Sequence, residues 1–147
     1  MSVTAVLLPV FVQIGLTFLL LLRLGSSRIA ALRRGDVKTG DIALGERNWP
    51  KRVLQVQNAF HNQFELPVLF YVLAALALVT RKADMLFVVM AWMFVATRLV
   101  HAYIHTTSNR VIWRFQAFVA GVLILAAMWI VFGLRIFFAE AAIGKAG

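Results

Sequence analysis

The chain has 147 residues, 62% of them hydrophobic and 14% charged, with a formal net charge of +9 and a mean hydropathy of +0.85. Soluble domains are about 45–50% apolar, so this composition belongs to a membrane protein and leaves little chain for a soluble head. Cysteine is absent, which excludes disulfides, Cys-bound zinc, thiol lipidation and thiol catalysis by the chain itself; any thiol must come from a ligand.

A helix needs roughly 20 residues to cross a hydrocarbon core. Four stretches meet this, predicting helices over about 4–24, 51–79, 84–106 and 109–138, so the expected fold is all-α, an integral-membrane four-helix bundle occupying 1–147 as a single domain. Met1 to Thr4 lacks Lys and Arg, and the apolar run after it is nearly twice the length of a signal core. A retained first helix is therefore expected. It holds Pro9 near its start and a Gln13, Gly15 and Thr17 group suited to packing. The loop from Gly25 to Pro50 follows, and 29–34 within it suits a short interfacial helix.

Eight of the 15 basic residues lie in or beside that loop: Arg23, Arg28, Arg33, Arg34, Lys38, Arg47, Lys51 and Arg52. The positive-inside rule makes the loop cytoplasmic and puts both termini on the opposite side. The cluster fits topology and contact with anionic lipid headgroups. Without aromatic interleaving or a nucleic-acid signature, no nucleic-acid partner is expected.

The second helix begins near Trp49-Pro50, and Pro67 within its pattern predicts a bend just after Glu65. Gln55, Asn58, Asn62 and Glu65 fall within a sector of about 80° at 3.6 residues per turn, with His61 adjoining. The third helix carries Arg98, His101 and His105 on one face and ends in the polar run 106–109, where Ser108 or Asn109 is placed to cap the fourth. Arg110 and Arg114 occupy the fourth helix's first turns, and Arg135 marks its far exit.

Antiparallel crossing brings these stripes to compatible depths, predicting a cationic pocket in one half of the bundle. Guanidinium groups pair two-pronged with carboxylates and amides satisfy peptide groups, so the pocket suits a small anionic, peptide-like ligand. Glu65 would take a ligand ammonium or hold an arginine. The plainer alternative is a structural Glu65–Arg98 ion pair, with Asn58 and Asn62 as interhelical hydrogen-bond glue. His101 and His105 have a spacing that zinc sites use, yet the arginines repel a cation and no third ligand is fixed, so no metal is expected. Proton conduction finds no continuation beyond Leu73 to Val79. Nucleophilic triads, phosphate loops and dinucleotide fingerprints are missing.

Over about Arg47 to Leu134 the chain resembles the MAPEG family, the membrane-associated proteins in eicosanoid and glutathione metabolism. The resemblance rests on Asn58-Ala59-Phe60-His61-Asn62-Gln63-Phe64-Glu65 with Pro67, and on Arg98-Leu99-Val100-His101 leading through His105 and Arg110 to Arg114. It implies a homotrimer binding glutathione between subunits toward the cytoplasmic side. It also implies an arginine on the fourth helix that stabilises the thiolate: Arg114, with Arg110 as the other candidate. Asn58, His61, Asn62, Glu65, Arg98, His101 and His105 complete the expected ligand set. The implied function is a glutathione-dependent transferase or peroxidase acting on lipophilic electrophiles. Asn58 stands where the family has arginine, His105 where tyrosine often occurs, and Phe115 where one branch has serine. These departures motivate the alternative, a non-catalytic protein of the same fold serving as an auxiliary subunit of a larger membrane complex or as a lipid-binding scaffold.

Overall fold

A computed structural model describes residues 1–143; the last four residues of the expected 1–147 domain lie outside the described residues. Five α-helices make up four membrane-length segments: α1 (Val3–Arg34), α2 (Lys51–His61), α3 (Leu66–Val79), α4 (Met85–Thr106) and α5 (Val111–Ile143). The chain's second crossing, Lys51–Val79, is shared by α2 and α3.

Helix α1 runs ten residues beyond its predicted end, so no separate interfacial helix forms over 29–34. Two features carry it through Gly25-Ser26-Ser27. The hydroxyls of Ser26 and Ser27 donate to the Arg23 carbonyl at 3.0 and 2.7 Å, so these side chains are satisfied within the helix. The extension also has something to pack on, because Leu24 and Ala31 bury against Val37, Val53 and Val56 in a small cluster under the first loop. Arg28 closes this cluster, donating to Gln57 at 2.9 Å with its guanidinium 5.0 Å from the Trp49 ring centroid. Gly35, at φ 73°, then ends α1 in the left-handed conformation that glycine adopts without steric penalty, its amide reaching back to Ala31 and Leu32.

The predicted bend is a full break. Helix α2 stops at His61, a 3₁₀ turn covers Asn62–Phe64, and Glu65 takes φ −100°, ψ −107° before α3 begins. Pro67 explains its position: a proline in the first turn of a new helix needs no amide partner, whereas inside a continuous helix its ring meets the carbonyl four residues back. Helix α4 is capped at its start by Asp84, whose carboxylate accepts from the Phe87 amide at 3.0 Å.

The core lies in the half of the bundle remote from the basic loop. Phe70 and Phe94 stack with centroids 4.8 Å apart, among Leu73, Ala74, Ala77, Ala91, Val95, Leu125 and Met128. Lipid is as apolar as leucine, so close van der Waals contact holds membrane helices together, and small residues permit it. Ala77 and Ala91 are fully buried for this reason. The other half of the bundle buries polar side chains as well. Gln13 of α1 donates to Gln63 at 2.8 Å, and Gln63 donates in turn to the Ala59 carbonyl.

Candidate functional site

Breaking the second crossing at residues 62–65 frees Asn62 and Glu65 from helical phase. The Asn62 amide donates to a Glu65 carboxylate oxygen at 2.8 Å. Facing them, His101 and His105 of α4 stand one turn apart with rings edge to face at 5.4 Å. Both are buried. Gln55 of α2 donates to the His105 carbonyl at 2.7 Å, tying the last turn of α4 to the helix that precedes the break.

The third wall is the start of α5. Asn109 has φ 48°, a left-handed conformation that asparagine tolerates better than most residues, and its side-chain oxygen accepts from Arg114 Nη1 at 2.6 Å. The expected cap is thus replaced: Asn109 spends its carbonyl on the Arg114 guanidinium rather than on a helix amide. Val111, Phe115 and Phe118 complete the wall. Together with Asn62, Glu65, His101, His105 and Arg114 they enclose an open pocket of about 290 Å³, at the lower end of the roughly 300–1,000 Å³ typical of small-molecule sites.

Two atoms on this site are conspicuous. Oδ1 of Asn62 and Nδ1 of His105 are buried without a hydrogen-bond partner. A buried orphan polar atom costs about 1–3 kcal/mol, so a ligand or water that bonded them would recover that energy. The first turn of α5 adds unpaired amides and the positive end of a helix dipole beside Arg114, which favours negative charge.

Four sequence candidates lie apart from this pocket. Asn58 accepts from Arg47 at 2.8 Å and His61 is exposed beside the Phe60 ring. Arg110 is exposed ahead of α5. Arg98 is 1% exposed and reaches across to α5, donating to the carbonyls of Ala117 and Phe118 at 3.1 and 3.4 Å, with its guanidinium 5.3 Å from the Phe118 ring. The Glu65–Arg98 ion pair considered above does not form: the carboxylate turns to Asn62 and the guanidinium to α5. Among the described residues no cluster of three metal-ligating side chains occurs.

Sequence reasoning missed Asn109, Phe118 and Gly121. Asn109 was visible as part of a polar run, though not its pairing with a side chain five positions on. Gly121 had no local signal, because a β-carbon there would lie 2.6 Å from Nη2 of Arg98 on another helix.

An integral-membrane helical bundle with a polar pocket enclosed in one half is the class that fold and site define. The chain belongs to the MAPEG family, whose family model matches residues 6–134. Comparison with curated proteins and with solved structures finds no match to either.

Proposed function

We propose that this protein is a glutathione-dependent membrane transferase or peroxidase acting on lipophilic electrophiles, working as a homotrimer with its first loop in the cytoplasm. The observation that carries this reading is the shared pocket of Asn62, Glu65, His101, His105 and Arg114, together with membership of a family generally associated with glutathione. The donor set suits the tripeptide: Arg114 for a thiolate or carboxylate, Glu65 for the ammonium, and the free atoms of Asn62 and His105 for peptide groups. The position of Glu65 fits association with further copies, as in a trimer. It is exposed at the centre of the Lys51–Val79 crossing, where lipid contact with a carboxylate costs several kcal/mol. A neighbouring copy covering the break between α2 and α3 would remove that cost.

Arg114 supplies the chemistry. A thiol of pKa about 8.5 is mostly protonated at neutral pH, and the guanidinium held by Asn109 stabilises the anion after the proton has passed to water. The sulfur then bonds to the electrophilic carbon as the leaving group departs with its electron pair. With a lipid hydroperoxide, two thiols become a disulfide as the O–O bond breaks, releasing an alcohol and water. Val111, Phe115 and Phe118 give the pocket an apolar rim, with Val111 and Phe115 exposed, which suits substrates arriving from lipid.

One observation favours the non-catalytic alternative, an auxiliary subunit or lipid-binding scaffold: Phe115 lines the pocket beside Arg114 and offers no hydroxyl. Two measurements separate the readings. Millimolar glutathione raises the unfolding temperature of the purified protein if it binds the native state, and Arg114→Ala lowers conjugation of a chlorinated aromatic by about 100-fold, the scale of losing one preorganised charge-stabilising donor. Absence of the thermal shift supports the non-catalytic reading. Undiminished conjugation by Arg114→Ala removes this residue from the mechanism.

A further inference from the structure

A second cavity, separate from the pocket above, opens on the surface of the chain between α1 and α4. It measures about 340 Å³, and its walls include Leu16, Leu20, Leu99 and Ala102. Its polar groups gather at the basic-loop end. Arg23 is exposed there and makes one long bond, 3.4 Å, to the Thr106 carbonyl, leaving most of its five donors free. Tyr103 lines the same end and is 70% exposed. Arg52 approaches from α2, donating to the Thr107 carbonyl at 3.3 Å, so two guanidinium groups bracket the last turn of α4. No acidic side chain lines the groove.

Depth decides what this groove fits. Arg23 lies about 30 Å along α1 from Val3 at roughly 1.5 Å per residue, which is one hydrocarbon thickness. The leucine walls therefore lie within the acyl layer and the guanidinium at headgroup level, where tyrosine also partitions. We propose that the α1–α4 groove is a binding site for an anionic phospholipid, with an acyl chain along Leu16, Leu20 and Leu99 and the phosphate on Arg23 and the Tyr103 hydroxyl. Charge complementarity fixes the occupant: a zwitterionic lipid offers the same chains and phosphate, but adds a cation beside two guanidinium groups.

Native mass spectrometry tests this on the detergent-solubilised full chain, titrated with phosphatidylglycerol or phosphatidylcholine. One basic side chain near the membrane surface corresponds to about a five-fold preference for anionic lipid. The wild type is expected to retain one phosphatidylglycerol at least about five-fold more tightly than phosphatidylcholine. Arg23→Gln should lose the preference, whereas Arg33→Gln, farther along α1, should keep it. Leu99→Trp, which fills the groove without touching a charge, should weaken both lipids together, and helix content by circular dichroism verifies folding of each variant. Equal retention of the two lipids by the wild type overturns the proposal. So does a loss in Arg33→Gln matching that in Arg23→Gln, which would assign the preference to the diffuse charge of the loop, or unchanged binding in a folded Leu99→Trp.

Discussion

Replacing Gly121 by alanine places a β-carbon 2.6 Å from Nη2 of Arg98, 2.8 Å from Oγ1 of Thr97 and 3.1 Å from Cζ of Arg98. The Arg98 atoms end a flexible side chain, which on an open surface would move aside, whereas the Thr97 hydroxyl sits on a β-branched side chain and donates to the Phe94 carbonyl at 2.7 Å. Here Arg98 is held between Phe94 and Phe118, with ring centroids 5.7 and 5.3 Å from its guanidinium carbon, and bonded to two carbonyls of α5. Overpacking costs about 1–3 kcal/mol and a lost charge-assisted hydrogen bond about 1.5–3 kcal/mol, while alanine recovers up to about 1 kcal/mol of helix propensity. The expected net destabilisation is about 1–3 kcal/mol, because the guanidinium retains part of its bonding after it shifts. Gly133, in the same helix, has nothing within 4 Å of the added carbon, so Gly133→Ala is neutral or stabilising by up to about 1 kcal/mol. Unfolding by sodium dodecyl sulfate from mild detergent micelles, followed by circular dichroism, measures both. In the Arg98→Leu background the cost of Gly121→Ala should fall, since the obstructing group is gone and a double-mutant cycle isolates the contact. Equal stability of Gly121→Ala and Gly133→Ala would refute the packing argument.

Asn109→Gly keeps the left-handed turn and removes the oxygen that orients Arg114. On the proposed function, glutathione affinity should drop roughly 10-fold, the worth of a hydrogen bond to a charged group, as read by isothermal titration; an unchanged value means Arg114 needs no partner. Gln13→Leu leaves the Gln63 side-chain oxygen without its buried donor and should cost about 1–3 kcal/mol, whereas the Gln13→Leu/Gln63→Leu pair should be nearly neutral; equal losses in both would contradict this. At the far end, Arg135 bonds the Asp84 carboxylate at 2.6 Å and, as the largest cause, holds its pKa below the ordinary value of 3.8, with the Phe87 amide assisting. A depressed carboxylate pKa stabilises the fold above the unfolded value, and that stability is lost as pH falls through the folded one. Asp84→Ala should therefore lower stability by about 1 kcal/mol at pH 7, chiefly through the lost helix cap, with the difference from wild type shrinking below about pH 4. A constant difference across that range would show that the charge is irrelevant.

The four crossings were legible in the sequence because their cause is local. A run of apolar residues long enough to span lipid is a helix whatever surrounds it, since no other open structure satisfies its backbone there. The residue types that line the pocket were legible for a similar reason: Asn62, Glu65, His101, His105 and Arg114 stand out wherever the neighbouring side chains are hydrocarbon. Helix ends were less so. Serine hydroxyls bonding back to the Arg23 carbonyl and the packing of Leu24 and Ala31 on Val53 and Val56 carried α1 past Gly25, and the second depends on partners far along the chain.

Which polar residues meet was decided only in three dimensions. A stripe at 3.6-residue spacing places Asn58, Asn62 and Glu65 together, but the 3₁₀ turn and the break at Glu65 divide it, leaving Asn58 to Arg47 and turning Asn62 and Glu65 toward α4 and α5. Arg98 shares a helix face with His101, yet the bare backbone of Gly121 lets its guanidinium pass to α5. Hydrophobicity is a sum over neighbours in the chain, so sequence alone determines a membrane bundle with a polar interior. The partner of each polar atom depends on the rotation and approach of separate helices, and those are fixed by packing across the whole bundle.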